Sequence, residues 1–175
     1  MLSIYSYIAP LLVGAGLSTV LIPWTLMVFG VGALIGNIVG GRLGDHRPYA
    51  TTFVTAGITV LASAGIWVFS TQPVPLLVLF ALLGLVGLSA NPILVALAVR
   101  FGDDAPTLAA AMPTSIFNLG TAVGTGITSM LLGTSFGTVA PAIVGTVFAV
   151  LIFLPLTALA VLERHRATAT VSATR

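Results

Sequence analysis

The stretch GNIVGGRLGDHRP, residues 36–48, decides how this chain folds. An uncharged apolar run, residues 22–41, leads into it, and a second uncharged apolar run, residues 49–70, follows it. Two runs of membrane length joined by so short a charged link can form only an antiparallel helical hairpin, with its link at the membrane surface. The stretch therefore predicts an integral membrane protein and places one of its turns.

The composition of the whole chain agrees with a membrane protein. Of its 175 residues 58% are hydrophobic and only 6% are charged, whereas a soluble domain carries about a quarter charged residues. The charges cluster in residues 42–47, 100–104 and 163–175. A net charge of +2 without a basic stripe predicts no nucleic-acid partner. The chain has no cysteine, and His46 and His165 lie in different surface segments, so neither a metal site nor a cofactor is expected.

Apolar runs and their punctuation predict an all-α, six-span membrane bundle followed by a polar cytoplasmic tail over residues 163–175. The first span is short and contains Pro10, so it is either a tilted helix or the end of a longer helix whose start is missing from the gene model; we prefer the second reading. The predicted spans cover residues 1–17, 22–41, 49–70, 75–99, 106–132 and 139–162.

The arginines predict the orientation of the bundle. They fall after the second span, after the fourth span and in the tail, while the ends near Ser18, Gln72 and Ser135 carry no charge. Spans two, four and six thus end on one side, which the positive-inside rule assigns to the cytoplasm. Both termini are therefore expected in the cytoplasm.

Small residues recur at helical spacing in two spans. Gly32, Gly36 and Gly40 occupy one face of span two, and Gly120 and Gly124 occupy one face of span five. Such faces let helix backbones approach closely in lipid. Packing within the bundle is the simpler interpretation of either face, and a packing surface for a second bundle is the alternative.

No Asp, Glu, Lys, Arg or His lies inside a predicted span. Ionisable residues at membrane depth mark proton relays and ion paths, so any proton-coupling residues of the system lie elsewhere. The absence also argues against an intramembrane enzyme, because no base stands near a serine nucleophile.

Five polar side chains within the spans are candidates for a substrate path: Tyr5, Tyr7, Asn91, Ser115 and Asn118. Each has a structural alternative. The tyrosines could belong to an interfacial belt, the amide of Asn91 could satisfy a carbonyl freed by the following proline, and Ser115 and Asn118 could bond a neighbouring helix.

The acidic residues of the links stand before the predicted starts of spans three and five. Asp45, Asp103 and Asp104 could each accept from free amides at a helix N-terminus. For Asp45 a second role is open, as part of a cytoplasmic latch.

Residues 41–47, GRLGDHR, resemble the G-x-L-x-D-R motif of the major facilitator superfamily. Gly41, Leu43 and Asp45 stand at its positions, His46 replaces its arginine, and Arg47 follows. In that family the motif links the second and third helices and recurs between the eighth and ninth. Residues 5–12, 29–43 and 105–124 are similar to the carboxyl half of the bacterial drug and sugar efflux branch, which includes arabinose-efflux-like and chloramphenicol-efflux-like proteins.

The resemblance implies that the six spans are helices seven to twelve of a twelve-helix transporter in the inner membrane. The complete protein would export a small molecule in exchange for protons by rocking two bundles around a midplane site. Its partners would be the lipid bilayer, the substrate, and a missing amino-terminal bundle or a second copy. Spans one and four would line the cavity, and spans two and five would face the other bundle. The alternatives are an inactive truncated remnant and a self-assembling six-span carrier or channel.

Overall fold

A computed structural model describes residues 2–102, 105–154, 156 and 157 of the chain. Every regular element within those residues is helical. Two short 3-10 turns, Thr19–Leu21 and Gly137–Val139, precede longer helices. The α-helices are α1 Leu2–Ser6, α2 Ile8–Gly14, α3 Ile22–His46, α4 Pro48–Val68, α5 Pro73–Gly87, α6 Asn91–Phe101, α7 Pro106–Leu132 and α8 Ala140–Leu151.

Four helical stretches are long and apolar enough to cross a membrane. They are Thr19–His46, Pro48–Val68, Pro73–Arg100 and Thr107–Leu132, and a shorter apolar helix covers Gly137–Leu151. The chain is therefore an all-helical, multi-pass membrane protein. The predicted sixth span and the polar tail extend beyond the described residues.

Proline starts most of these helices. Each helix from α3 to α8 carries a proline at its first or second position. A proline there costs no backbone hydrogen bond, because the first amides of a helix have no partner within the helix. The prolines thus allow abrupt turns, and only Arg47 separates α3 from α4.

Helix α3 ends five residues later than the apolar run predicts. It continues through the charged residues to His46, so those residues lie on a helix rather than in a link. Pro48 sets the end, because a residue before proline is pushed out of the helical conformation. Arg47 accordingly has φ −143° and ψ 69°.

Two of the predicted spans are interrupted helices. The first consists of α1 and α2, which break at Tyr7 because Pro10 has no N–H to bond the carbonyl one turn earlier. The fourth breaks at residues 88–90, between α5 and α6 and just before Pro92. Turn bonds bridge this second break: the Ser89 amide donates to the Val86 carbonyl and the Asn91 amide to the Leu88 carbonyl, at 3.2 and 3.0 Å.

Helix α5 packs against α3, in the most extensive helix contact of the described residues, and against α4. Helix α4 also packs on α8, and α7 contacts α1, α6 and α8. The rings of Phe29 and Phe80 stack 4.9 Å apart between α3 and α5. Other core residues around this pair are Ile4, Ile8, Leu11, Leu12, Ile66, Leu76 and Leu83.

Candidate functional site

The charged end of α3 has a buried side and an exposed side. Gly44 is buried against the side chain of Ile93 at the start of α6, where a side chain on residue 44 would overlap it. Gly41 faces Pro92 of the same helix. Leu43, Asp45 and Arg47 are exposed. The glycines of the motif therefore seat the end of α3 on the segment that follows the break in the fourth span, and its charges remain available to a partner or to lipid headgroups.

Asp45 does not occupy the capping position that the sequence suggested. The residue before α4 is Arg47, and its side chain makes no capping hydrogen bond. Asp45 instead lies in the last turn of α3, where a negative charge is unfavourable for the helix dipole. The prediction was wrong because α3 continues past residue 41. The corresponding predictions for Asp103 and Asp104 lie outside the described residues.

The glycine face of α3 lies against other helices of this chain. A Cβ on Gly36 would overlap the backbone carbonyl of Leu85, and one on Gly40 would overlap Ser89. A Cβ on Gly32 would lie 3.1 Å from the Leu85 nitrogen. These three glycines let α3 and the α5 region approach at backbone distance, so the structure places them inside the bundle.

The glycines of α7 have different surroundings. A Cβ on Gly120 would meet no atom within 4 Å, while one on Gly124 would lie 3.0 Å from the Ser3 hydroxyl oxygen. Both glycines line a central cavity. The two glycine faces look alike in the sequence but differ in the structure. The glycines of α3 allow a close helix contact, whereas those of α7 line a cavity.

The central cavity has a volume of about 290 Å³ and lies between α1, α4, the α5–α6 break, α7 and α8. Small residues on four segments leave it open. Its threonines satisfy their own hydroxyls: Thr52 donates to the Pro48 carbonyl and Thr121 to the Phe117 carbonyl, both at 2.8 Å. Within the described part of the chain no charged side chain lines the cavity. It can therefore hold a small apolar group without competing polar chemistry. The glycines and alanines of the lining are Ala56, Gly87, Ala90, Gly120, Gly124, Gly145 and Ala149.

The two tyrosines predicted to lie on a substrate path are held by neighbouring helices. The Tyr7 hydroxyl donates to the Thr125 carbonyl on α7 at 3.4 Å. The Tyr5 ring lies 4.9 Å from Phe29 and is 38% exposed. Tyr5 thus extends the aromatic stack of the core to the surface.

The other three predicted path residues lie on the surface. Ser115 is exposed and donates to the Ala111 carbonyl at 3.3 Å, and Asn118 is exposed one turn further along α7. Asn91 is exposed at the start of α6. The structure does not bring the five predicted residues into the central cavity, whose described lining contains none of them.

Comparison with known protein families assigns the chain to one of them. The sequence profile of the Major Facilitator Superfamily matches residues 1–175. The chain belongs to this superfamily. Its members are transporters and not enzymes, and the resemblance of the chain to this family is confirmed.

The curated relatives of this superfamily member are named as a resistance protein and as transport proteins. A chloramphenicol resistance protein of Streptomyces lividans is 28% identical over 138 residues, which is 78% of this chain and 35% of the relative. The inner membrane transport protein YdhP of Escherichia coli O157:H7 is 29% identical over 88% of this chain and 41% of its own length. The MFS-type transporter YfhI of Bacillus subtilis is 30% identical over 73% of this chain and 32% of its own length. The chain thus spans about a third to two fifths of these relatives, and no solved structure matches it significantly.

Proposed function

We propose that this chain is one six-helix half of an efflux transporter and works against a second six-helix bundle. The observation that carries the proposal is that the family match covers residues 1–175 although the chain spans only 35% and 41% of two relatives. The second bundle would be an amino-terminal half or a second copy. Rocking of two such bundles around a midplane site is the way that this type of transporter moves a substrate.

The surface of α7 supports a partner for this bundle. Helix α7 is the least covered of the membrane-length helices, with 11% of its apolar stretch buried. Ser115 and Asn118 lie among its exposed residues, beside the apolar Ile116 and Leu119. A surface that mixes amides and hydroxyls with apolar side chains suits the wall of a substrate path better than contact with lipid alone.

The break between α5 and α6 supports the same assignment. Discontinuous membrane helices are the usual place where transporters of this kind build a binding site. Here Gly87, the last residue of α5, and Ala90, within the break, line the central cavity, while Asn91 is exposed. Residues that line the cavity and a residue exposed on the surface therefore lie within one turn of each other in the fourth span.

The proposed substrate is a small molecule of the drug or sugar class. It follows from the efflux-type resemblance and from the relative named as a chloramphenicol resistance protein. Proton exchange would drive the complete transporter in the inner membrane, with the coupling residues outside this chain, because no ionisable residue lies in its predicted spans.

The proposed orientation places both termini in the cytoplasm. Reporters fused after Arg47, after Asp103 and at Arg175 are expected to report the cytoplasm, because these ends carry all the arginines. Reporters near Ser18 and Gln72 are expected to report the outside. Paired alkaline phosphatase and fluorescent protein fusions measure both sides. An external signal at Arg47 would contradict the orientation and the proposed hairpin together.

Asp45 is proposed as part of a conformational latch at the cytoplasmic surface. In a completed transporter, Asp45→Asn is expected to lower turnover severalfold while leaving the folded yield within error, because Asp45 is exposed and is not the N-cap residue of α4. A latch, by contrast, depends on its charge in one of the two states. Initial rates of export, normalised to folded protein, test the prediction, with Asp45→Glu as the charge-retaining control. Unchanged export in Asp45→Asn would remove the latch from the proposal.

A further inference from the structure

A lateral groove of about 650 Å³ separates α3 from α4 at the arginine-bearing end of the hairpin. Its walls are two rows of apolar side chains, each with a spacing of four residues. The middle residue of each row is about half exposed: Val39 on α3 is 48% exposed and Val54 on α4 is 60% exposed. The α3 row is Ile35, Val39 and Leu43, the α4 row is Ala50, Val54 and Ile58, and the floor is Leu85, Val86 and Ser89.

The polar groups inside the groove are already bonded to the protein. The Ser89 hydroxyl donates to the Val86 carbonyl at 2.6 Å, and the Thr51 hydroxyl donates to the Arg47 carbonyl at 2.9 Å. The Thr55 hydroxyl donates to the Thr52 carbonyl at 3.0 Å. The groove therefore offers a hydrocarbon-like surface along its length. The hydroxyl groups of these three residues already donate to backbone carbonyls rather than to a ligand.

The mouth of the groove carries a different chemistry. His46 and Arg47 line it there, and both are exposed. Asp45 and Arg42 lie on the same helical turns, but neither is among the described lining residues. The groove thus joins a long apolar channel to a cationic end, and none of its described lining residues is acidic.

We propose that this groove binds an anionic phospholipid. One acyl chain lies between the α3 and α4 rows, and the phosphate accepts hydrogen bonds from the Arg47 guanidinium and the His46 ring. Basic pockets between membrane helices are sites for anionic headgroups, and a guanidinium matches phosphate oxygens in a bidentate way. The groove volume lies within the usual range for ligand sites, about 300–1,000 Å³.

Lipid retention by the purified chain tests the charge at the mouth. Native mass spectrometry in detergent, titrated with dioleoylphosphatidylglycerol or dioleoylphosphatidylcholine, measures bound lipid without depending on transport or orientation. Wild-type protein is expected to prefer phosphatidylglycerol. Arg47→Gln is expected to lower that affinity about fivefold, the effect of one cation near an anionic headgroup, and Arg47→Lys to keep most of it. Arg42→Gln, which removes the same charge outside the groove, is the matched control. Equal losses in Arg42→Gln and Arg47→Gln would overturn the site.

A second variant tests the acyl channel. Ala50→Phe fills the groove from an exposed wall position and is expected to lower retention of phosphatidylglycerol at least as much as Arg47→Gln does. Ala96→Phe, an exposed substitution on α6 outside the groove, is the control. Inorganic phosphate at equal concentration is expected not to displace the lipid. Displacement by phosphate, equal retention of phosphatidylcholine, undiminished binding in Ala50→Phe, or a lipid-free dimer would each overturn the proposal, the last by showing that a protein surface covers the groove.

Discussion

Gly36→Val is expected to destabilise the folded bundle strongly and to lower its unfolding temperature. The Cβ of any side chain at residue 36 would overlap the carbonyl group of Leu85. On the α5 side of the contact, a Cβ on Gly84 would lie 2.7 Å from the Phe29 carbonyl oxygen. Both obstacles include backbone atoms, so no rotamer change can relieve them. Overpacking of a well-packed core costs about 1–3 kcal/mol and more where the backbone must move. The expected loss in the free energy of unfolding is at the upper end of that range, because the contact between α3 and α5 is the most extensive helix contact of the described residues.

Thermal unfolding in detergent, followed by the monodisperse fraction on size exclusion, measures this effect. Gly30→Val is the matched control, because it makes the same substitution on the same helix at a position where a Cβ meets no atom within 4 Å. Each variant replaces one glycine of α3 with valine, so the difference between their unfolding temperatures isolates the contact with α5. Equal unfolding temperatures for the two variants would show that α3 and α5 do not pack at backbone distance.

The sequence predicted the hairpin because lipid leaves so few alternatives. Two uncharged runs flanking residues 42–47 must be helices, since an unpaired backbone in hydrocarbon is too costly. The end of α3 at His46 was not predicted, because hydropathy marks where a helix becomes polar and not where it stops. Pro48 determines the stop, and with it the position of Asp45 inside the helix.

The glycine spacing predicted close-packing faces but not their partners. Gly36 meets Leu85, which lies far away in the sequence, and nothing local distinguishes that contact from one with a second bundle. The central cavity was missed for a related reason. The cavity exists because several helices carry glycine or alanine where they face one another. A glycine such as Gly120 has the same local sequence whether a neighbouring helix fills the space beside it or not.

The position of the break in the fourth span could be approached from the sequence. Pro92 was expected to free a backbone carbonyl one turn earlier, and α5 does end at Gly87. The consequence for the site could not be predicted, because it depends on what lies on either side. Gly87 and Ala90 face the central cavity, while Ser89 forms the floor of the lateral groove. One interruption of a helix therefore contributes to two separate spaces.

The 175 residues expressed alone are expected to insert into a membrane without carrying out proton-coupled export. No Asp, Glu, Lys, Arg or His lies inside a predicted span, so no side chain at membrane depth can exchange a proton for a substrate. The charged residues described on α3, Asp45 and His46 among them, lie exposed in its last turns. Alternating access further requires a second bundle to move against. A second copy could supply that bundle, but it would bring no buried acid.

Purified chain reconstituted in liposomes with an imposed pH gradient tests this expectation, with the movement of a fluorescent efflux dye as the signal. Empty liposomes give the leak rate, and a pH-sensitive dye inside the vesicles shows that the gradient persists. The expected dye movement equals the leak rate, with and without an uncoupler. Transport that requires the gradient and disappears with the uncoupler would place a coupling group in this chain. The nearest source would then be the exposed turn at Asp45 and His46, and Asp45→Asn and His46→Gln would show which of the two carries the proton.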